Sequence, residues 1–427
     1  MNILEAYKKR IAIAESVYSK AHNGETLCES KKLVVAKLLE NTNKFLNEAF
    51  DNSVGTQRSD MGMFKKFSLN LTNVAVPNLI AYDLVIVHPM SSMSGYINYV
   101  QFTAGSNKGE TAQGDVLNDP FRLGKVDPNY TGYRVVETIA AGQTELAWGP
   151  VIEGSVEKFV DGAWEKVEGA YTPVEGDKVR YIYNNVVIPQ NDLPILNARI
   201  ESMPLLAKAR RIAVYYSQIA AFQAKTDYGF DLGDQLAEKA VGQLQYEIDT
   251  EVTQLLIDNA EVREDLKWNR TVPTHLAKAE HYEGFSEVVE IAKQVIYDKT
   301  KRFAPNYMLI ASDVLPILTF IKGFSAAPTG KINGPYFAGT LNGIKVFVTP
   351  NIESGKFVLG VNGDDMMSSA AVYAPYMPVV PTQLLQYADG GTSQGWSTLY
   401  DLKLLNKDLL VAGTVVREQQ PVYTIAG

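Results

Sequence analysis

The chain holds one cysteine, Cys28, and four histidines in 427 residues. A lone thiol excludes an internal disulfide and any multi-cysteine zinc centre, and so few imidazoles leave little for histidine-based metal chemistry. No run of about 18 apolar residues occurs, so no transmembrane helix is expected. The opening Met1-Asn2-Ile3-Leu4-Glu5-Ala6-Tyr7-Lys8-Lys9-Arg10 has no apolar core behind its charges and does not read as a signal peptide. Basic charge is short as well: Lys+Arg is 40 against Asp+Glu 48, a net −8. A chain of that sign is not built chiefly to neutralise nucleic-acid phosphates.

Catalytic and cofactor patterns are missing too. Gly330-Lys331 is followed by Ile332, where a phosphate-binding loop needs a hydroxyl. The glycines at 105, 109 and 114 lack the strand-to-helix setting of a dinucleotide site. His275 and His281 are six apart and do not share a helix face, so Glu280 and Glu283 beside them suggest a solvated loop more than a metal site. His88 reads as a strand-end residue. Cys28 has Lys31 and Lys32 nearby but no spaced base, and reads as an inert thiol. Asp364-Asp365 after Gly363 reads as a turn, since a calcium loop's alternating oxygens and terminal Glu are absent. No catalytic residue, cofactor or metal ligand is assigned.

What is present is tyrosine, 23 of them, with 32 glycines, a balance that suits strands and contact surfaces. Residues 1–50 have helical spacing around a break at Asn23-Gly24, and 51–62 are patternless and polar, so the N-terminal piece reads as an appendage outside the core. An apolar run, Leu84-Val85-Ile86-Val87, precedes an aromatic strand over 96–102. Residues 103–190 are Gly-rich and read either as a disordered loop or as an extended arm with its own small β subdomain, and their tyrosines and valines favour the arm. Within them Asp161-Gly162, between 156–160 and 163–167, predicts a tight hairpin, and 171–183 a further β piece.

Residues 200–225 alternate like a strand. From 232 to 260, Leu232, Leu236, Ala240, Leu244, Ile248 and Val252 run at helical spacing, with Asp231 or Asp234 as N-cap. At 1.5 Å per residue that helix is roughly 43 Å long and suits a structural spine. Residues 286–427 alternate between elements. Ser286 is expected to cap a helix through Ile296, and 312–321 to form a short one. Strands are expected over 307–311, 344–348, 357–361, 370–373, 409–416 and 422–425.

Several segments, in order, carry a resemblance. Met61-Gly62-Met63-Phe64-Lys65-Lys66 is followed by Val76-Pro77-Asn78-Leu79-Ile80-Ala81-Tyr82-Asp83, then by Pro89-Met90 and Ser94-Gly95. Ala207-Lys208-Ala209-Arg210 leads toward the spine. Ala338-Gly339-Thr340-Leu341 with Lys345-Val346, and Ala374-Pro375-Tyr376-Met377-Pro378, follow near the C-terminus. This ordered set resembles the major capsid protein family of the T-even phages and their relatives, and through it the tailed-phage and herpesvirus capsid fold of the Hong Kong ninety-seven type. The stretch between Thr103 and Pro189 is shorter than in the T-even proteins and unlike theirs, and the spacer between Phe50 and Met61 is also shorter.

The resemblance implies an α+β shell subunit without enzymatic activity. Its parts would be an N-terminal arm (1–76), the start of a peripheral domain (77–102), a long β arm or E-loop with a hairpin insertion (103–189), the peripheral domain with the spine (190–262), an axial domain (263–400) and closing strands (401–427). Copies would form hexamers, and pentamers unless a paralogue fills the vertices, around double-stranded DNA that is enclosed without specific binding. Scaffolding protein, prohead protease, portal and decoration or vertex proteins would be partners, a membrane would not, and assembly would take place in the host bacterial cytoplasm. Family members are cut after Leu-x-Glu or Ile-x-Glu, and Phe45-Leu46-Asn47-Glu48-Ala49 resembles such a site, with Leu46, Glu48 and Ala49 flanking the cut and 1–48 as pro-segment. Tyr96, Tyr99, Tyr130, Tyr133, Tyr171, Tyr181 and Tyr183 are candidate contacts between subunits, because tyrosine offers a large face with a polar tip. A vertex paralogue, an encapsulin-like nanocompartment shell and a soluble hydrolase using Asp/Glu chemistry are the competing readings.

Overall fold

The computed structural model describes residues 3–21, 26–51, 79–119, 121, 124, 127–184, 194–229, 232–273, 276–327, 334–382, 385–388 and 390–417. The chain forms two compact units, one of residues 1–96 and 204–427 and the other of residues 97–203. Helices and mixed sheets make an α+β protein.

The larger unit centres on a seven-stranded sheet. In spatial order its strands are Glu261–Asn269, Leu410–Val416, Lys356–Gly360, Tyr307–Ile310, Ile344–Val348, Tyr336–Leu341 and Phe324–Ala326. Tyr307–Ile310 reads Tyr-Met-Leu-Ile with every residue buried, as expected for a strand covered on both faces. It runs parallel to Ile344–Val348 and antiparallel to Lys356–Gly360. Gly339 marks a register shift in the Tyr336–Leu341 strand. A Cβ there would lie 2.2 Å from the Ser325 carbonyl oxygen, so a side chain would push the edge strand away.

Helix Phe285–Thr300 lies on this core with Phe285, Val288, Val289, Ala292 and Ile296 buried at helical spacing. It starts one residue earlier than the expected Ser286 cap. Gly284 is its N-cap, and the Ser286 hydroxyl donates to the Glu283 carbonyl at 2.7 Å. The expected helix over 312–321 is confined to Leu315–Leu318.

The spine helix spans Leu232–Asp258. Asp234 lies inside it, and Asp231 lies outside the described residues. Its buried side chains serve two cores. Ala237, Ala240, Val241 and Leu244 pack with Val379 and Trp396, while Ile248, Val252 and Leu256 join the main cluster. A second sheet pairs Ala371–Pro381 with Gly391–Leu404, and Gly391–Leu404 with Lys208–Ser217. Residues 371–404 thus share a sheet with 208–217. Register shifts flank Met377, where Pro375, Pro378 and Pro381 have no N–H for a regular ladder.

The N-terminal helices Lys8–Ala21 and Glu29–Asp51 correct the expectation of an appendage. Ala14, Tyr18, Leu27, Val34, Val35, Leu38 and Leu39 are buried in the main cluster with Leu84 and Ile248. Helical spacing in the sequence marks an apolar face but not what covers it. The 51–62 spacer, the Met61–Lys66 motif and the 422–425 strand lie outside the described residues, apart from Asp51 at the end of its helix.

The smaller unit carries a three-stranded sheet in the order Val116–Asn118, Ser94–Ala104, Leu196–Leu206. Its four-stranded sheet has the order Arg134–Thr138, Lys178–Ile182, Glu157–Val160, Ala163–Lys166. The expected hairpin is there, with Asp161 at φ 49° and Gly162 at φ 88° in the turn. Those positive values match the right-handed twist of the flanking strands.

Candidate functional site

The bond after Glu48 lies in the last turn of helix Glu29–Asp51. Leu46, two residues before, is 1% exposed and anchors the helix just upstream. Downstream of it the helix ends within one turn, at Asp51.

Upstream of that bond, two polar contacts fasten the N-terminal helices. The Asp83 carboxylate is buried, with its side chain 3% exposed. The Tyr18 hydroxyl donates to it at 3.2 Å and the Lys31 ammonium at 3.1 Å, with Lys345 Nζ at 3.8 Å. The Asn41 side-chain amide, also buried, donates to the main-chain oxygens of Met90 at 2.8 Å and Tyr376 at 2.9 Å. Asp83, Met90 and Tyr376, each from a segment that carries the family resemblance, therefore all meet this helix. A void of only about 10 Å³ borders Leu38, Tyr82, Ile248, Tyr373 and Pro375, so that side of the joint is close-packed, while a cleft of about 570 Å³ opens beside Lys31, Val34, Asp83 and Lys345. Burial of each valine or leucine here contributes about 1.5–3 kcal/mol.

The seven tyrosines separate by environment. Tyr181 and Tyr183 are buried in the small unit's core with Val135, Ile139, Val156 and Val179. Tyr130 is buried, and its hydroxyl donates to the Ile195 carbonyl at 2.5 Å. These three are corrected from contact candidates to interior residues of the unit. The Lys178–Ile182 strand buries alternate positions, and the period of two points Tyr181 inward. Tyr171 is half-buried against the same core and donates to Asp177 at 3.0 Å, and Tyr99 meets Phe121 edge to face at 4.8 Å. Tyr96 at 68% exposure and Tyr133 at 56% present open rings.

Lys108 ties this interior together. It is buried, donates to the Tyr183 hydroxyl at 2.7 Å and the Gly132 carbonyl at 2.8 Å, and sits 4.9 Å above the Trp148 ring. Nearby, burial pushes the Glu137 carboxyl above its usual range, against hydrogen bonds from the Ala147 N–H, Tyr181 and Gln143.

One surface was missed in the sequence. Residues 218–227 form a helix, Gln218–Asp227, in place of the expected strand. Ser217 caps it, accepting from Ala220 N at 3.1 Å, and that cap was the signal available. Ile219 is 72% exposed and Phe222 71%, one turn apart on the same face.

Reactive groups elsewhere have structural partners. His281 lies 2.8 Å from the Asn269 carbonyl oxygen through Nε2 and stacks on Trp268 at 4.9 Å. His275 lies outside the described residues. Burial holds the His88 imidazole below its ordinary pKa. Cys28 is exposed, 3.0 Å from the Ser30 hydroxyl. Asp365 caps a short 3₁₀ turn through a reciprocal bond with Ser368. Asp249 on the spine is fully buried. Burial pushes its carboxyl up to about 8, against the pull of the Ala81 and Ile80 N–H groups. Among the described residues no cluster of three or more His, Cys, Asp and Glu could hold a metal ion, and no helix is long and apolar enough to cross a membrane.

Residues 61–425 match the family described as Gp23, major capsid protein Gp23. The chain belongs to this family. It is a structural protein of the phage head shell and not an enzyme, it assembles with copies of itself, and its place is the virion capsid. The major capsid protein of Enterobacteria phage T4 is 22% identical, over 88% of this chain and 87% of its own length. That of Vibrio phage KVP40 is 21% identical, over 79% and 75%. The capsid of Myoviridae Phage XM1 superposes with a TM-score of 0.40 at 7% identity, over 78% of this chain and 90% of the other.

Proposed function

We propose that this chain builds hexamers, and pentamers where no paralogue fills the vertex, of an icosahedral or prolate head that encloses double-stranded DNA. The subunit takes the Hong Kong ninety-seven type arrangement, and the unit of residues 97–203 serves as the arm laid over a neighbour. The family match across 61–425 carries this reading. Tyr96, Tyr99, Tyr133 and Tyr171, with Ile219 and Phe222, supply contact surface. Each contact can be weak, because a closed shell multiplies it by symmetry. Scaffolding protein, protease, portal and decoration proteins act on the shell in the host cytoplasm.

The N-terminal segment is cut after Glu48 during maturation. The site-like Leu46-Asn47-Glu48 at a helix end, ahead of the polar 51–62 stretch, supports this. Negative-stain microscopy of the expressed protein, with and without scaffold, tests the assembly. Shells, tubes or hexamers are expected, and a stable monomer overturns it. N-terminal sequencing of virion subunits tests the cut, and a start at Met1 or Asn2 sinks it.

A further inference from the structure

The N-terminal helices are held in a groove of the large unit by contacts that do not depend on the peptide chain leading out of Glu48. Val34, Val35, Leu38 and Leu39 present two adjacent turns of one helix face to the main core. That is the pattern of an amphipathic helix docked in a receptor groove. The polar contacts add direction. Asp83 accepts from Tyr18 and Lys31, on the two successive helices, so the pair is pinned as one body. Asn41 takes two main-chain oxygens, from Met90 and Tyr376, that lie far apart in sequence.

We propose that this face is a helix-receiving groove whose occupant is the chain's own N-terminal segment, and that the segment stays seated after the chain is severed. Scission and release are then separate steps. Cutting removes only the tether, with its high effective concentration, while the groove contacts persist. Release requires the body to let go of Lys31 and Asn41. Once it does, Asp83 loses two donors at once, and Lys345 at 3.8 Å is left to bear more of a buried charge. The biological meaning rests on the cut after Glu48 proposed above, but the groove itself does not.

The test uses the full chain with a site-specific protease sequence placed over residues 52–58. After cutting, the fragment is followed by size-exclusion chromatography and mass spectrometry. It is expected to co-elute with the body. Lys31→Met and Asn41→Ala are each expected to speed its release by about tenfold or more. Lys32→Met, whose partner Glu15 lies in the same segment at 3.0 Å, is expected to release as the parent does. Immediate loss of the parent's fragment overturns the proposal, as does release from both groove variants at the parental rate. If one groove variant fails to fold, the other carries the comparison. The engineered cut is independent of the natural one, so a virion subunit starting at Met1 would refute the maturation cut and leave this result standing.

Discussion

The seven-stranded sheet of the large unit and the sheets of the smaller unit, residues 97–203, are held together differently. The sheet's central strand, Tyr307–Ile310, is buried at all four positions, and its register partners Phe347, Phe357 and Leu359 on the strands to either side are buried as well. In the smaller unit only the Lys178–Ile182 strand buries alternate positions against a small apolar core, and polar groups complete that core: Lys108, Glu137 and the tyrosine hydroxyls. The sheet is stabilised by area and the arm by a few directed bonds. A subunit that must fold alone and then conform to neighbours gains from that division. Loss of a directed bond loosens the arm locally, whereas loss of core area is felt throughout the cooperative unit.

Leu309→Ala is expected to cost about 2–5 kcal/mol and to lower the melting temperature of the whole large unit in calorimetry. Lys108→Met should cost about 1.5–3 kcal/mol, but only in the arm. Limited proteolysis would cut within residues 97–203 while the main calorimetric transition holds its place. If the main transition also falls, the two units are not energetically separate.

The Asp249 carboxyl gives the large unit a pH dependence. Its folded pKa is raised to about 8, so between the ordinary carboxylate range and that value the folded state binds the extra proton. Stability therefore falls as pH rises through this window. Asp249→Asn is expected to flatten the fall, read as melting temperature against pH. Gly162→Ala, at φ 88°, should cost about 1 kcal/mol in the arm hairpin, seen as faster amide exchange of the two hairpin strands. Phe222→Ser should change stability by less than about 0.5 kcal/mol yet reduce assembly, counted as particles in the microscope.

Elements whose own residues state the rule were legible in sequence. The Asp161-Gly162 turn, the spine and the Ile344–Val348 strand all appear where their patterns place them. What needed the fold was the identity of the covering surface. The 1–50 periodicity is that of a helix on the surface or in the core alike, and only Asp83 and the 374–378 bulge on the far side decide it. Tyr181 and Tyr133 are the same residue type in one Gly-rich stretch, but pairing in the sheet turns Tyr181 inward while Tyr133, just ahead of the Arg134–Thr138 strand, is left open. The Gln218–Asp227 helix was hidden because it has only one buried residue, Ala224, and so leaves no apolar face to read.

The strand Leu410–Val416 sits between Glu261–Asn269 and Lys356–Gly360, pairing with both. A nascent chain that has emerged only as far as residue 409 therefore has the first of these strands cut off from the rest of its sheet. The subunit cannot finish folding before nearly all of this sequence is synthesised, and a prematurely terminated copy lacks the strand that joins the two. Placing residues 410–416 mid-sheet thus makes closure of the whole sheet wait on one late segment.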